Sequence, residues 1–161
     1  MTTSIKPDLL AVVGATLTGK TAMSVELALA LDGEIVNGDS RLFYRGMDVA
    51  TAKPTPEETK GVPHHLVDFL DPGDEYSLAS YVKQARALID EIATRGKLPI
   101  LVGGTGQYIW ALIEGWEVPE VKPDAKLRAE LELRLEKHGV EPLADGLTKI
   151  APEVAASTDL H

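Results

Sequence analysis

Short blocks of consecutive apolar residues alternate along this chain with longer stretches in which apolar positions recur every three or four residues. The blocks are residues 9–13 (LLAVV), a 34–40 run ending in an acid (EIVNGDS), the apolar part of 61–72, and 98–102 (LPILV). Runs of this length bounded by Gly, Pro or Asp read as strands, and the first, apolar throughout, reads as a fully buried one. Helical spacing predicts a helix over 22–31, where Ala22, Val25, Leu27, Ala28 and Leu31 suit close packing on a sheet. Asp32-Gly33 ends it, with Gly33 as the left-handed cap. A second helix starts at Ser77 and carries Leu78, Tyr81, Val82, Ala85, Leu88, Ile89 and Ile92 on one face, with Gly96 closing it. Tyr108, Ile109, Leu112 and Ile113 continue as a third helix up to Gly115. Strands interleaved with helices predict an α/β fold with a mainly parallel sheet flanked by helices.

Two stretches break this rhythm. Residues 41–53 mix Arg, aromatic residues, Gly and Thr without a clear period, and Pro54, Pro56, Glu57 and Glu58 then begin a solvated loop or short helix. Beyond Trp116, Pro119, Lys122-Pro123 and Asp124 read as a linker. A charged amphipathic helix follows over 125–138, with Leu127, Leu131 and Leu135 on one face and Gly139 at its end. Leu143, Leu147 and Ile150 predict another helix, and Pro152 opens a last one through Ala156. The expected organisation is an α/β core over 1–116 and a helical extension with a thin core over 117–161.

Composition narrows the function classes. The 161 residues suffice for one domain with a real core, and 44% hydrophobic with 25% charged residues is ordinary for a soluble globular chain. No run reaches the roughly 18 apolar residues that span a bilayer. Residues 1–8 are polar and lack a secretory pattern. The absence of cysteine excludes disulfides and thiolate metal sites, and a cytoplasmic protein with no membrane partner is expected. A net charge of −9 argues against nucleic-acid binding over the whole surface, but a local basic groove is compatible with it.

The chemistry concentrates where the first strand meets the first helix. There the chain reads GATLTGKT, a G-x-x-x-x-G-K-T phosphate loop in the strand–loop–helix context the motif requires. Gly14 and Gly19 let the backbone of Gly14, Ala15, Thr16, Leu17, Thr18 and Gly19 curl so that successive N–H groups face an anion. The helix dipole adds to the attraction, Lys20 supplies a point charge, and the Thr21 hydroxyl is placed to ligate Mg2+. The motif says nucleotide or diphosphate, and not what is done with it. Asp39 ends the second strand and reads equally as a functional acid or a turn cap; if the first two strands are parallel neighbours, it lands near the loop. Arg41, Tyr44, Arg45 and Lys53 line a groove for an anionic partner, with Phe43 or Tyr44 for stacking, or else form a packed connection. His64 and His65, adjacent on a strand, point to opposite faces and share no metal. Gly103-Gly104-Thr105-Gly106 is a second strand–glycine–helix junction, suited either to close approach of a ligand or to a tight turn.

Taken in order, GATLTGKT, GDSRLFYRGMDVATAKPTPEE, GVPHHLVDFLDP, YSLASY and GKLPILVGGTGQY resemble the tRNA dimethylallyltransferase family, also called tRNA isopentenyltransferases. The resemblance runs from about Leu9 onward and implies a P-loop NTPase-like fold. It implies transfer of a dimethylallyl group from dimethylallyl diphosphate to N6 of the adenosine next to the tRNA anticodon. The loop residues Gly14 to Thr21 would hold the diphosphate, assisted by Mg2+ on Thr21. Asp39 matches the family's general base and Thr16 a substrate contact beside it. Asp39, Ser40, Arg41, Leu42, Thr105 and Arg128 match positions that touch the tRNA. Two positions depart from the family pattern: Leu42, where many relatives carry Gln, and Ala15, where Pro is usual. The match stops before a basic R-x-x-R-A-L-E segment, so this is expected to be the family's N-terminal portion, and a monomer. The competing readings are isopentenyl transfer to free adenine nucleotide, a P-loop small-molecule kinase, or an inactive truncated fragment.

Overall fold

A computed structural model describes residues 8–48, 53–118 and 124–158. The expected linker prolines Pro119 and Pro123, and residues 49–52 of the family block, lie outside them. The chain divides into two units, Met1–Glu120 and Val121–His161.

The first unit runs β1 (Leu10–Val13), α1 (Lys20–Leu31), β2 (Gly33–Asn37), a 3-10 turn (Ser40–Leu42), α2 (Pro56–Thr59), β3 (His64–His65), α3 (Leu78–Thr94), β4 (Leu98–Gly103) and α4 (Gly106–Ile113). All four strands are parallel, in the order β1-β4-β2-β3. Side chains alternate across the sheet, so neighbouring residues enter different cores. Ile35 and Ile100 pack with Val25, Ala28, Val62 and Leu98 on the α1 side. Val36 and Leu101 pack on the other face with Tyr81, Val82, Ala85 and Ile92 of α3 and Ile109 and Ala111 of α4.

Several expectations are corrected here. β1 is not fully buried: Leu10 and Val12 are half-buried, Ala11 is exposed and Val13 is 53% exposed. It pairs with β4 on one side and stands at the end of the described sheet, so half of its pattern faces outward. The left-handed cap of α1 is Asp32 (φ 51°) rather than Gly33. Gly33 begins β2 instead, where a Cβ would stand 2.8 Å from the Leu98 carbonyl oxygen. β3 is shorter than its apolar surroundings promise, because Leu66 and Asp68 both take left-handed φ values, 60° and 54°, and turn the chain out of the sheet.

Phe43 is fully buried rather than available for stacking. Its ring lies 5.3–5.7 Å from those of Phe69, Tyr76, Tyr81 and Tyr108. These contacts anchor the segment after β2 onto α3 and α4. Burial pushes the Tyr76 hydroxyl up to about 12 and raises that of Tyr81 as well, so both stay neutral as packing groups.

The second unit is helical: α5 (Ala125–His138), α6 (Glu141–Ile150) and α7 (Pro152–Ser157). Asp124 caps α5 by accepting from the N–H groups of Lys126 and Leu127, and Gly139 (φ 76°) ends it. Leu127, Leu131 and Leu135 remain 39–52% exposed.

Candidate functional site

The parallel order sets the carboxyl ends of β1, β4 and β2 side by side, where ligands of open α/β sheets bind. Three loops leave from there: the phosphate loop after β1, the glycine junction after β4 and the Asp39 turn after β2. β4 stands between the other two strands, so β1 and β2 are not neighbours as the condition on Asp39 supposed. Asp39 nonetheless reaches the phosphate loop's cavity, because the strand between them is nearly free of side chain at its end. Gly38 N donates to the Val102 carbonyl at 2.7 Å. A Cβ on Gly103 would lie 2.5 Å from the Gly38 carbonyl. The two backbones therefore meet in direct contact beneath the site, and Gly103 both packs the strands and lines the cavity.

Gly19 (φ 82°) turns the chain into α1, and Leu17 (φ 66°) holds a left-handed conformation unusual for its type. The Lys20 ammonium donates to the Ala15 carbonyl at 2.6 Å, and the Thr18 hydroxyl donates to the same oxygen at 2.8 Å. The loop is thus closed on itself, with its lysine stationed at the rim. Thr21 follows in the first turn of α1.

A cavity of ≈ 410 Å³ joins these parts. Thr16, Leu17, Gly19, Lys20 and Thr21 line it from the loop, and Asp39, Arg41 and Leu42 from the turn after β2. Gly14 and Ala15 border a smaller cavity of ≈ 240 Å³ against Trp110. Ser40 and Arg41 border a third recess with Tyr44. Thr105, at the N-cap of α4, accepts a long hydrogen bond (3.4 Å) from Ser40 N and so ties the Asp39 turn to the glycine junction. Arg128 lies exposed on α5 in the second unit.

The turn is set by a residue the sequence did not single out. Asn37 is 3% exposed and spans the loop like a clasp. Its Oδ1 accepts from Asp39 N at 2.9 Å, and its Nδ2 donates to the carbonyls of Asp39 (3.0 Å) and Leu66 (2.8 Å). The Asp39 carboxylate accepts from Arg41 N at 3.1 Å. Asp39 is therefore a turn cap and a cavity wall at once.

The expected groove for an anionic partner changes character. Lys53 is held by Asp48 (2.6 Å) and Asp68, and also donates to the Tyr44 carbonyl. Burial alone would lower its pKa, but the bonds to Asp48 and Asp68 outweigh burial and raise it. Arg45 is paired with Asp71 at 2.7 Å. Of the four groove residues, Arg41 is the cation that borders both the main cavity and the Tyr44 recess.

His64 and His65 diverge as alternation requires. His65 Nε2 meets Glu34 at 2.7 Å, where Arg95 also bonds the carboxylate at 2.7 Å, while His64 lines the main cavity. Burial pushes the His64 pKa down, and the neighbouring His65 adds to this against the opposing Val62 carbonyl.

Comparison with known proteins gives a consistent picture. A family model described as IPP transferase matches residues 42–161, and one described as isopentenyl transferase matches residues 7–70. The tRNA dimethylallyltransferase of Thermomicrobium roseum is 53% identical over 94% of this chain and 46% of its own length. That of Herpetosiphon aurantiacus is 53% identical over 96% of this chain and 49% of its own. Among solved structures, a tRNA isopentenylpyrophosphate transferase from Bacillus halodurans superimposes with a TM-score of 0.69 at 48% identity, covering 96% of this chain and 51% of that one. A eukaryotic dimethylallyltransferase acting on tRNA gives 0.77 at 29% identity, covering 94% and 38%. The chain spans about half the length of the curated relatives it matches.

Proposed function

This chain belongs to the IPP transferase family, with its P-loop NTPase-like α/β fold, and from that premise we propose that its cavity carries out dimethylallyl transfer to tRNA. The donor is dimethylallyl diphosphate and the acceptor is N6 of the adenosine beside the anticodon, in the cytoplasm. The observation that carries this reading is the shared cavity: phosphate loop on one wall, Asp39 on another.

The reaction forms an N6–C bond as the allylic C–O bond breaks and diphosphate departs. N6 is a weak nucleophile because its lone pair is delocalised into the ring. Asp39 takes its proton, a general-base role typically worth about 10²–10⁴-fold. Asn37 and the Arg41 N–H fix where that carboxylate stands. Thr16 lines the wall beside it. Charge builds on the leaving oxygens, and Lys20, moving off the Ala15 carbonyl, meets it together with the loop amides. Ser40, Arg41, Leu42, Thr105 and Arg128 contact the tRNA, whose target base leaves its stack to enter the cavity.

The donor set suits Mg2+ held mainly by the ligand. Thr21, Asp39 and Glu58 are hard-oxygen groups on the cavity wall, and no group of three or more His, Cys, Asp or Glu able to cage a metal occurs among the described residues. Thr21 would hold the ion through its hydroxyl, and the ion would supply charge neutralisation to the diphosphate. No described helix is long and apolar enough to cross a membrane.

Labelled dimethylallyl diphosphate incubated with unmodified tRNA, with free AMP, or with ATP and candidate acceptors tests the reading. Transfer to tRNA that is lost in Asp39→Ala, with diphosphate binding retained, is the expected result. Turnover on free AMP regardless of tRNA, phosphoryl transfer from ATP, or full activity of Asp39→Ala would each replace it.

A further inference from the structure

His64 lies in the main cavity and has no part in the steps above. It opens β3 opposite Ile35, on the α1 side of the sheet. Its Nδ1 lies 2.8 Å from the Val62 carbonyl. A carbonyl only accepts, so Nδ1 carries the proton, and in the neutral ring Nε2 is a bare acceptor. That nitrogen is buried and has no hydrogen-bond partner among the described residues. Buried polar atoms without partners are rare in folded proteins, and this one belongs to a residue that lines the cavity. The downward push on the pKa keeps the ring in this acceptor form.

We infer that His64 Nε2 accepts a hydrogen bond from an N–H or O–H group of the nucleoside that enters the cavity. The inference rests on the reading of the cavity as a site for both substrates. The ionised diphosphate donor offers only acceptors and would meet the His64 lone pair unfavourably. An adenosine offers its exocyclic amine and its ribose hydroxyl. His64 thereby sorts the two ligands by hydrogen-bond polarity: the cationic loop takes the acceptor-rich ligand, and the imidazole takes the donor-bearing one. It is a positioning and specificity residue, since the transferred proton goes to Asp39.

The test uses the full chain with His64→Phe and His64→Gln. Phe keeps the ring volume without the acceptor, and Gln restores an acceptor oxygen. Binding of an unmodified anticodon stem-loop RNA and of inorganic diphosphate is measured separately, with thermal unfolding as the check on fold. His64→Phe should weaken RNA binding about fivefold, as one lost hydrogen bond allows, and leave diphosphate binding within about twofold. His64→Gln should recover most of the loss. RNAs carrying purine riboside or 2′-deoxyadenosine at the target position identify the donor, because the one that lacks it should bind wild type and His64→Phe alike. RNA binding by His64→Phe equal to wild type, equal losses for both ligands, or a Gln variant no better than Phe would overturn the assignment. A wild-type chain that binds neither probe would overturn the functional reading itself, and this inference with it.

Discussion

One buried amide decides where the acid of the cavity stands. Asn37 both donates to and accepts from the backbone of Asp39 and donates to Leu66 as well, as an amide carrying N–H and C=O together can. Asn37→Asp keeps the shape but turns two donated bonds into repulsions against the carbonyls of Asp39 and Leu66. It should destabilise the chain by about 3 kcal/mol in urea unfolding, with diphosphate affinity retained. Single-turnover transfer should fall by about 10–100-fold, because the carboxylate shifts from where it would take the N6 proton. The sequence shows the phosphate loop and the candidate acid plainly, since both are local patterns. Asn37 is silent there, and His64 shows only its alternation with His65. The bonds of Asn37 reach Leu66, 29 positions along the chain, and the unpartnered nitrogen of His64 is a property of the folded surroundings alone.

Elements were legible where burial follows from periodicity. The 17-residue α3 presents Tyr81, Val82, Ala85 and Ile92 inward, and α5 spans the residues its amphipathic pattern marks out. What failed depended on neighbours: β1 is half-exposed because it closes the described sheet, and Phe43 is buried because four other rings converge on it. Two glycines separate these regimes. Gly103→Ala would press a methyl group into the Gly38 backbone and should cost about 2–4 kcal/mol, read from the unfolding midpoint. Gly146, inside α6 with open space around its Cβ direction, should instead gain about 1 kcal/mol as Ala. Glu34 links β2 to β3 and to the end of α3 through His65 and Arg95. Burial alone would raise its pKa, but these partners outweigh burial and hold it below the usual 4.5. Its contribution is therefore present above pH 4.5 and is lost as pH falls through the folded value. Glu34→Gln should be about 2 kcal/mol less stable at neutral pH, with the difference from wild type shrinking in acid denaturation titrations.

At the scale of the whole molecule, the proposed function brings an acidic chain with a net charge of −9 to an acidic polymer. Arg45, Lys53, Lys60, Arg95, Lys97 and Arg134 each stand against a carboxylate, so these six of the 16 basic residues are locally neutralised and the net field stays negative. Binding of the stem-loop RNA should accordingly show a shallow salt dependence. Two or three phosphate contacts correspond to a loss of about 10- to 40-fold between 50 and 200 mM salt, against the thousandfold or more of strongly basic binders. A much steeper slope in a salt titration would place a basic surface elsewhere on the chain. The interposed strand β4 has a last consequence. It acts as a ruler: the phosphate loop and Asp39 hang from rungs two intervals apart, about 10 Å at ordinary strand spacing. That span is a property of the backbone lattice. Substitution can change which atoms face each other across it but leaves its width unchanged, so the reach of the reacting molecules is gauged before any side chain touches them.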